Sequence, residues 1–409
     1  VHKKHYPFLA FSIRSVYEEH TLIINPNSCS FRQYPQSGSI VPYSFTIEEE
    51  MYETYRNCCP CPCRLHSGGH RRHGGGKKSA LEHGHDLEQH AHPFVNAPTK
   101  VAKMVSDMTD GNFVIKVEGA EKHKAPLEIL DMVKGGQYQM GHSASYYWKG
   151  KDAVTAIFTT MPFGMNNDEQ NAWLYYGGGL ELMQERYSQF GLYAFPGGNT
   201  GVQMGGWFRK EIKSLDDLKG LKMRILGIAG EVFAKLGVNV TNIAPGELYT
   251  SLDRGTIDAL EWVGPGMDIK MGFHKIAPYY YAGWHEPATD LQFLINKKEF
   301  DKLPPSYQAA LRTAIQAASA DMHYENFAMS ADAWASIKTE YPNIKVMTFP
   351  DPVLAAMKQA TDEVLDGYAV QDPFFKKVLD SQRAYMKKAR EWTKMSEQYY
   401  LEQSAKVEQ

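Results

Sequence analysis

An α/β fold is predicted by three observations. Beyond residue 93, helical and strand patterns alternate along the chain, which favours mostly parallel sheets covered by helices. A chain of 409 residues, 43% hydrophobic and 12% aromatic, is long enough to build two or more cores. No apolar run approaches the ~20 residues needed to cross a bilayer, so no direct membrane insertion is expected. A net charge of −3 gives no electrostatic case for nucleic acid or for a membrane surface.

Composition breaks sharply near residue 93. All five cysteines (Cys29, Cys58, Cys59, Cys61, Cys63) precede residue 64, and most histidines precede residue 93. The remaining chain needs neither disulfide nor thiolate metal site. Residues 1–93 show no sustained period and read as an unstructured extension. A soft-metal or zinc tract is the alternative, since cysteine and histidine are suitable ligands. However, the run Cys58-Cys59-Pro60-Cys61-Pro62-Cys63 and the irregular histidines do not reproduce a closed site.

From residue 94 the elements follow in order. Phe94, Val101, Met104, Val105 and Met108 recur at helical spacing with Gly111 as a stop, and Phe113 to Val117 alternates as a strand. A helix from Pro126 to Lys134 is closed by Gly135-Gly136, and a short strand follows near Gln139 to His142. Asn167-Asp168-Glu169 places acids in the first turn of a helix expected to run to about Phe190. Gly177-Gly178-Gly179 falls inside it; with no preceding strand and no spaced Lys-Ser or Lys-Thr, it reads as close packing rather than a phosphate loop. Leu192 to Phe195 is a strand and Pro196-Gly197-Gly198 a turn. Ser214 caps Leu215 to Leu218, and the strand Leu221 to Ile225 follows. Pro245 opens a helix that Gly255 closes, and the strand Ala259 to Trp262 runs into a Gly264-Pro265 turn. Leu291 to Asn296 is the last expected strand. Helices are then expected over Ser306 to Tyr341, Pro352 to Tyr368 and Pro373 to Leu401.

The chemistry concentrates between Gly198 and Pro287. Four pieces there, Gln203-Met204-Gly205-Gly206-Trp207, Met223-Arg224-Ile225, Glu261-Trp262-Val263-Gly264-Pro265 and Trp284-His285-Glu286-Pro287, each set a charged or amide side chain at a strand end or turn. Together they suggest a pocket for a small anion. Arg224 offers a planar fork for a carboxylate; its alternative is a surface salt bridge. Glu261, Glu286 and the Gln203 amide oxygen are hard oxygen ligands, better suited to Na+ or Ca2+ than to zinc. Trp207, Tyr147 and Phe163 either wall the pocket or belong to the core. His142, His274 and His285 read as structural, since no partner pattern makes any of them a general base.

With Gly198-Asn199-Thr200-Gly201-Val202, these pieces resemble the substrate-binding proteins of tripartite ATP-independent periplasmic (TRAP) transporters, in the branch that binds 2-oxo acids or lactate with a metal ion. The resemblance continues through Met140 to Trp148, Pro162-Phe163-Gly164-Met165 and Asn171 to Gly179, on to about Leu401. It covers roughly three quarters of the chain.

The resemblance implies a two-lobed periplasmic binding-protein fold. Residues 94–197 and 288–345 would form lobe I, including a long helix crossing both lobes, and 198–287 would form lobe II. Residues 351–409 would form C-terminal helices, either exchanged between partners in a homodimer or packed on their own chain. It also implies that Arg224 holds the ligand carboxylate, and that Glu261, Glu286, Gln203 and the Trp262 carbonyl hold Na+ or Ca2+. Trp262, Trp207, Tyr147 and Phe163 would lie around a pyruvate-like ligand, with lactate second. Periplasmic localisation and membrane permease partners follow from the family. Leu226, Gly266-Met267 and Ala288 depart from its usual Pro, Tyr-Asn and Gly.

No signal peptide is recognisable, and the strand that should open the first sheet is expected to be missing. Shifted by one nucleotide, permitted codons for Leu81 to Gln89 spell Trp-Asn-Met-Val-Thr-Thr-Trp-Asn, which resembles that strand. The same shift over His66 to Gly76 gives an Ala-rich run resembling the end of a signal peptide. An uninterrupted parent gene lacking such codons would rule this out. An enzyme using the two glutamates around a divalent ion, and a periplasmic sensor sharing the pocket, are the rival readings.

Overall fold

The computed structural model describes residues 93–119 and 127–408. The expectations for residues 1–92 (extension, metal tract and shifted frame) lie outside the described residues, as does Pro126.

Helix α1 (Pro93–Met108) buries Ala97, Val101 and Val105, a four-residue spacing that gives one apolar stripe. Gly111 ends it in the left-handed region (φ 74°), with its N–H on the Ser106 carbonyl. Phe113 to Val117 alternates as expected but forms no strand. No described strand pairs with it, and Phe113 stacks on Tyr307 instead. Extended backbone without a ladder partner has no sheet to join. Helix α2 (Ile129–Lys134) leads into β1 (Met140–Ala144). Helix α3 (Ala153–Thr159) is capped by the Asp152 side chain.

The helix expected to run from Asn167 to Phe190 is two helices. α4 (Asn167–Tyr176) opens on a capping box between Asn166 and Glu169, and α5 (Gly179–Ser188) restarts after Gly178, whose φ of 84° breaks the spiral. A Cβ at Gly177 would strike Tyr385 and one at Gly179 would strike Trp173, so the triplet does serve close packing. Strand β2 (Leu192–Asn199) runs through Pro196 with a bulge, where a turn was expected.

The second lobe carries β3 (Gly206–Phe208), β4 (Lys222–Arg224), α6 (Gly227–Lys235), β5 (Asn239–Thr241), α7 (Leu248–Asp253), β6 (Ala259–Leu260), α8 (Pro265–Met271) and β7 (Tyr279–Tyr281). Gly264-Pro265 is the start of α8 rather than a free turn, with Pro265 at the first helical position. Strand β8 (Asp290–Asn296) then returns to the first lobe, followed by α9 (Lys297–Asp301), α10 (Pro305–Glu340), β9 (Lys345–Met347), α11 (Asp351–Gln371), α12 (Pro373–Thr393) and α13 (Tyr399–Val407).

Two sheets result, ordered β1-β8-β2 and β5-β4-β6-β3-β7-β9. Parallel pairing is found between β4 and both β5 and β6, and between β7 and β9. Elsewhere the pairing is antiparallel, because β8 re-enters from the second lobe against both β1 and β2, and β3 runs against β6 and β7. The expectation of mostly parallel sheets therefore holds around β4 but not for the first lobe. Strand β9, which the sequence reading did not expect, is the edge strand of the second sheet.

The 36-residue α10, about 54 Å long at 1.5 Å per residue, packs on α1 and β2 in the first lobe and on α8 in the second. Glycines allow the approach: a Cβ at Gly198 would overlap Met322, and one at Gly266 would meet the Met329–Ser330 backbone. No helix among the described residues is long and apolar enough to cross a membrane.

Candidate functional site

Arg224 ends β4, and Glu261 follows directly after β6, its parallel neighbour. Both therefore emerge at the carboxyl edge of the sheet, where open α/β sheets hold ligands. Arg224 is 1% exposed. Its Nη1 donates to the Glu261 carbonyl at 2.5 Å and lies 3.5 Å from Glu261 Oε2, and the guanidinium sits 5.5 Å from the Trp262 ring centre. Its Nε makes no hydrogen bond, leaving that edge of the fork free for an anion.

Backbone bonds tie the other pieces to this edge. Gln203 N–H donates to the Glu286 carbonyl at 2.9 Å, and Met204 N–H to the Val263 carbonyl at 2.8 Å. The Gln203 amide nitrogen donates to the hydroxyls of Thr200 (2.9 Å) and Thr289 (3.1 Å), and the Thr289 hydroxyl donates to Glu286 Oε2 at 2.5 Å. These bonds fix the amide orientation. Gln203 Oε1 is buried without a hydrogen bond, as is Glu261 Oε1.

His285 is fully buried, with Nε2 3.6 Å from Glu261 Oε1 and 4.0 Å from Glu286 Oε1. One ligand atom from each of Glu261, His285 and Glu286 falls within 4.8 Å of the others. Burial pushes Glu261 up to about 8, against the pull of Arg224. Burial first, and the Glu261 charge second, push Glu286 up to about 7. Burial holds His285 below its ordinary value. Two buried acids sharing one arginine, with oxygen atoms left without donors, form a donor set that suits a cation.

The first lobe closes the other side. Tyr146 and Tyr147 stand edge to face at 4.9 Å, and both feel the charges of Arg224, Glu261 and Glu286. Phe163 takes a left-handed φ of 56°; its N–H donates to the Trp284 carbonyl at 3.0 Å and its ring lies 5.6 Å from the Trp284 ring. Phe94, at the start of α1, meets the Trp262 ring edge-on at 6.3 Å.

Of the residues singled out by sequence, Arg224, Gln203, Glu261, Trp262 and Glu286 converge, with Tyr147 and Phe163 opposite. Trp207 does not wall the pocket. It is wholly buried in the second lobe, stacked on Tyr280 with ring centres 3.8 Å apart, and its indole N–H donates to Asp268 at 2.9 Å. Of the histidines read as structural, His142 bonds the Gly197 carbonyl and His274 packs on Trp207 and Tyr341.

Sequence reasoning missed Asp268. From the first turn of α8 it accepts the Val263 N–H (3.1 Å), the Trp207 indole N–H and the Tyr280 hydroxyl (2.9 Å), so it anchors the Glu261–Val263 strap. Burial raises it to about 7, while those donors pull it down. An acid in a helical first turn just after Gly-Pro was the available signal. Thr289, three residues beyond Glu286, was missed as well.

Residues 83–372 match the family described as bacterial extracellular solute-binding protein, family 7. A monocarboxylate 2-oxoacid-binding periplasmic protein of Nostoc sp. is 42% identical over 308 residues, covering 75% of this chain and 84% of that protein. A TRAP periplasmic solute-binding protein of Pseudoalteromonas atlantica, solved with bound sodium and pyruvate, is 57% identical with a TM-score of 0.75, over 76% of this chain and 94% of that one. Its counterpart from Colwellia psychrerythraea, solved with calcium and pyruvate, is 55% identical with a TM-score of 0.75, over 76% and 95%. With a two-lobed fold and a buried arginine beside paired acids already in place, these matches lead to one conclusion: the chain belongs to family 7 of the bacterial extracellular solute-binding proteins.

Proposed function

We propose that this chain captures a small monocarboxylate, a 2-oxo acid such as pyruvate before lactate, together with Na+ or Ca2+, and delivers it in the periplasm to the permease subunits of a TRAP transporter. The observation that carries the reading is the buried Arg224 fork, with a free Nε edge beside two acids and two unbonded oxygens. The names of the similar proteins from Nostoc, Pseudoalteromonas and Colwellia support the ligand and ion classes.

In this reading Glu261, Glu286, Gln203 and the Trp262 carbonyl hold the ion, which supplies positive charge to the two acids. Arg224 takes the carboxylate, while Tyr147, Phe163 and Trp262 exclude water. Trp207 acts through Asp268 rather than by touching the ligand. Tyr147 and Phe163 belong to the opposite lobe, so a ligand that contacts both lobes favours the closed state by its differential affinity. The buried acids serve as ligands and no reaction on the substrate is expected. Exposed Trp392, Met395, Tyr399, Tyr400 and Leu401 on the last helices supply an apolar face for a second copy of the chain.

Titrating pyruvate into metal-stripped protein, with and without Na+ or Ca2+, tests the reading through tryptophan fluorescence, since Trp262 and Trp284 lie at the pocket. A saturable change that requires the cation is expected. Silence in every condition refutes it, and release of product from pyruvate would make the protein an enzyme.

A further inference from the structure

We propose that Lys149 latches the two lobes together by reaching across to Glu231, and that this contact sets how fast the captured carboxylate leaves. The proposal rests on the reading of the chain as a binding protein that closes over its ligand. It adds to that reading a pair of residues outside the pocket.

Lys149 rises from a fixed base in the first lobe. It follows the single turn Ser145–Trp148 after β1, and its N–H donates to the Tyr146 carbonyl at 3.1 Å. Trp148 is buried, while the Ser145 N–H donates to the Thr159 hydroxyl at 2.9 Å and the Ser145 hydroxyl to the Thr155 carbonyl at 2.7 Å, which fastens the turn to α3. The lysine ammonium then crosses to α6 of the second lobe. There it donates to the Glu231 carboxylate and to the Gly227 carbonyl, the latter at 3.1 Å. Among the described residues this is the one ion pair that joins 93–197 to 198–287.

The acceptor is held ready. The Tyr368 hydroxyl on α11 donates to Glu231 Oε1 at 2.5 Å, and Lys235, one turn further along α6, meets Glu363 of α11 at 2.8 Å. Only the lysine remains to be ordered, which removes part of the entropy cost that weakens exposed ion pairs. With side chains 22% and 34% exposed, the pair is also partly withdrawn from salt screening. Its position ties it to the pocket. Tyr146 packs against Gly227, 3.5 Å from where a Cβ there would sit, and meets Tyr147 of the pocket wall at 4.9 Å. Helix α6 itself begins at Gly227, just after Arg224 and Leu226. Parting the lobes beside the pocket therefore breaks the pair. Lys149 and Glu231 need no ligand to meet, so they favour the closed state by a fixed amount and the ligand supplies the rest.

The test uses the full chain with Ca2+ present. Stopped-flow tryptophan fluorescence reads pyruvate association and release in the wild type, Lys149→Met, Glu231→Gln and the double variant. Each single change should raise the release rate roughly tenfold, with association within about threefold. The double variant should release no more than about twofold faster than either single, because both changes remove one contact. Hydrogen exchange of the Phe163 amide in ligand-free protein gives a second readout. That N–H donates to the Trp284 carbonyl of the second lobe, so its exchange should quicken by a similar factor while amides within β2 and β8 keep wild-type rates. Release and Phe163 exchange within about twofold of wild type in both single variants overturn the latch. So does a double variant whose effect is the product of the singles, or protection lost throughout β2 and β8, which would make the pair a brace of the fold. If wild-type protein takes up no pyruvate, the binding reading fails, and Phe163 exchange alone decides the latch.

Discussion

Replacing Asp268 separates two roles that this buried carboxylate combines. It serves three donors: the Val263 amide through Oδ1, and the Trp207 indole and Tyr280 hydroxyl through Oδ2. Asp268→Ala strands all three in a dry core. At roughly 1–3 kcal/mol for each unpaired group, the loss is about 3–9 kcal/mol, a large part of a net stability of about 5–15 kcal/mol. Asp268→Asn keeps one acceptor oxygen and turns the other into a donor. With that oxygen toward Val263, the new NH2 faces Trp207, and the Tyr280 hydroxyl can rotate to accept from it. Only the indole is then left unpaired, at about 1–3 kcal/mol. The opposite flip would set NH2 against the Val263 N–H, a donor with no freedom to turn. Asn should therefore lower the urea midpoint while keeping the Glu261–Val263 strap in place, and Ala should free the strap as well. Hydrogen exchange of the Val263 amide, read beside Ca2+ calorimetry, distinguishes the two variants. Protection retained in Asn, with exchange accelerated and Ca2+ weakened at least tenfold in Ala, is the expected pattern. A folded Asp268→Ala protein with Val263 still protected and Ca2+ affinity within twofold of wild type would refute the anchoring role.

Three further outcomes are expected. Glu261 and Glu286, raised to about 8 and about 7 in the cation-free protein, must ionise to take a cation. Affinity should thus climb by roughly two to three orders of magnitude from pH 6 to pH 8, with protons released, as calorimetry in two buffers would show. The sign for the cation-free fold is the reverse: raised carboxyl pKa values contribute stability below the ordinary carboxylate range and lose it as pH rises through about 7 to 8, so thermal stabilisation by the cation should grow with pH. An affinity that stays flat from pH 6 to 8 would exclude this coupling. Arg224→Lys exchanges a planar fork for a point charge, and pyruvate should bind roughly 10–100-fold more weakly; an unchanged Kd would remove Arg224 from the carboxylate. A Cβ at Gly283 would overlap the Gln203 carbonyl, so Gly283→Ala should displace Gln203 and weaken Ca2+ binding while circular dichroism stays native; wild-type Ca2+ affinity would argue against Gln203 as a ligand.

Much of the site was legible because its chemistry sits on local punctuation. Arg224 and Glu261 end short apolar runs, and Gly264-Pro265 marks where the strap stops and α8 begins. Such signals say where a side chain leaves the sheet, and here both leave at the same edge. They do not say which buried environment an aromatic enters. Trp207 lies on a strand in register with Leu260 and Tyr280, and that pairing across separate strands decides that its ring stacks in the core. Phe113 to Val117 shows the same limit from the other side, since alternation specifies a face and not the neighbour that would make it a strand. The break at Gly178 was hidden because a glycine inside a helical pattern is tolerated until its φ turns positive. Asp268 was invisible as a functional group, because its significance lies in partners up to 61 residues away in the chain.

The pocket is also braced from outside. Arg390 on α12 forks onto Glu169 with two bonds of 2.8 Å and donates to the Gly164 carbonyl at 2.7 Å, and the Thr393 hydroxyl donates to the same buried carboxylate. Glu169 in turn caps α4 and accepts the Asn166 N–H. This clamp holds the 163–166 loop, where Phe163 keeps its left-handed φ and passes its N–H to the Trp284 carbonyl, one residue before His285. A non-glycine residue in that region persists only where surrounding contacts over-determine it. Helix α12 thus contributes to the geometry of the first-lobe wall by holding the loop that carries Phe163. A C-terminal segment exchanged between two copies of the chain would carry Arg390 with it, so the partner would complete the clamp beside the pocket.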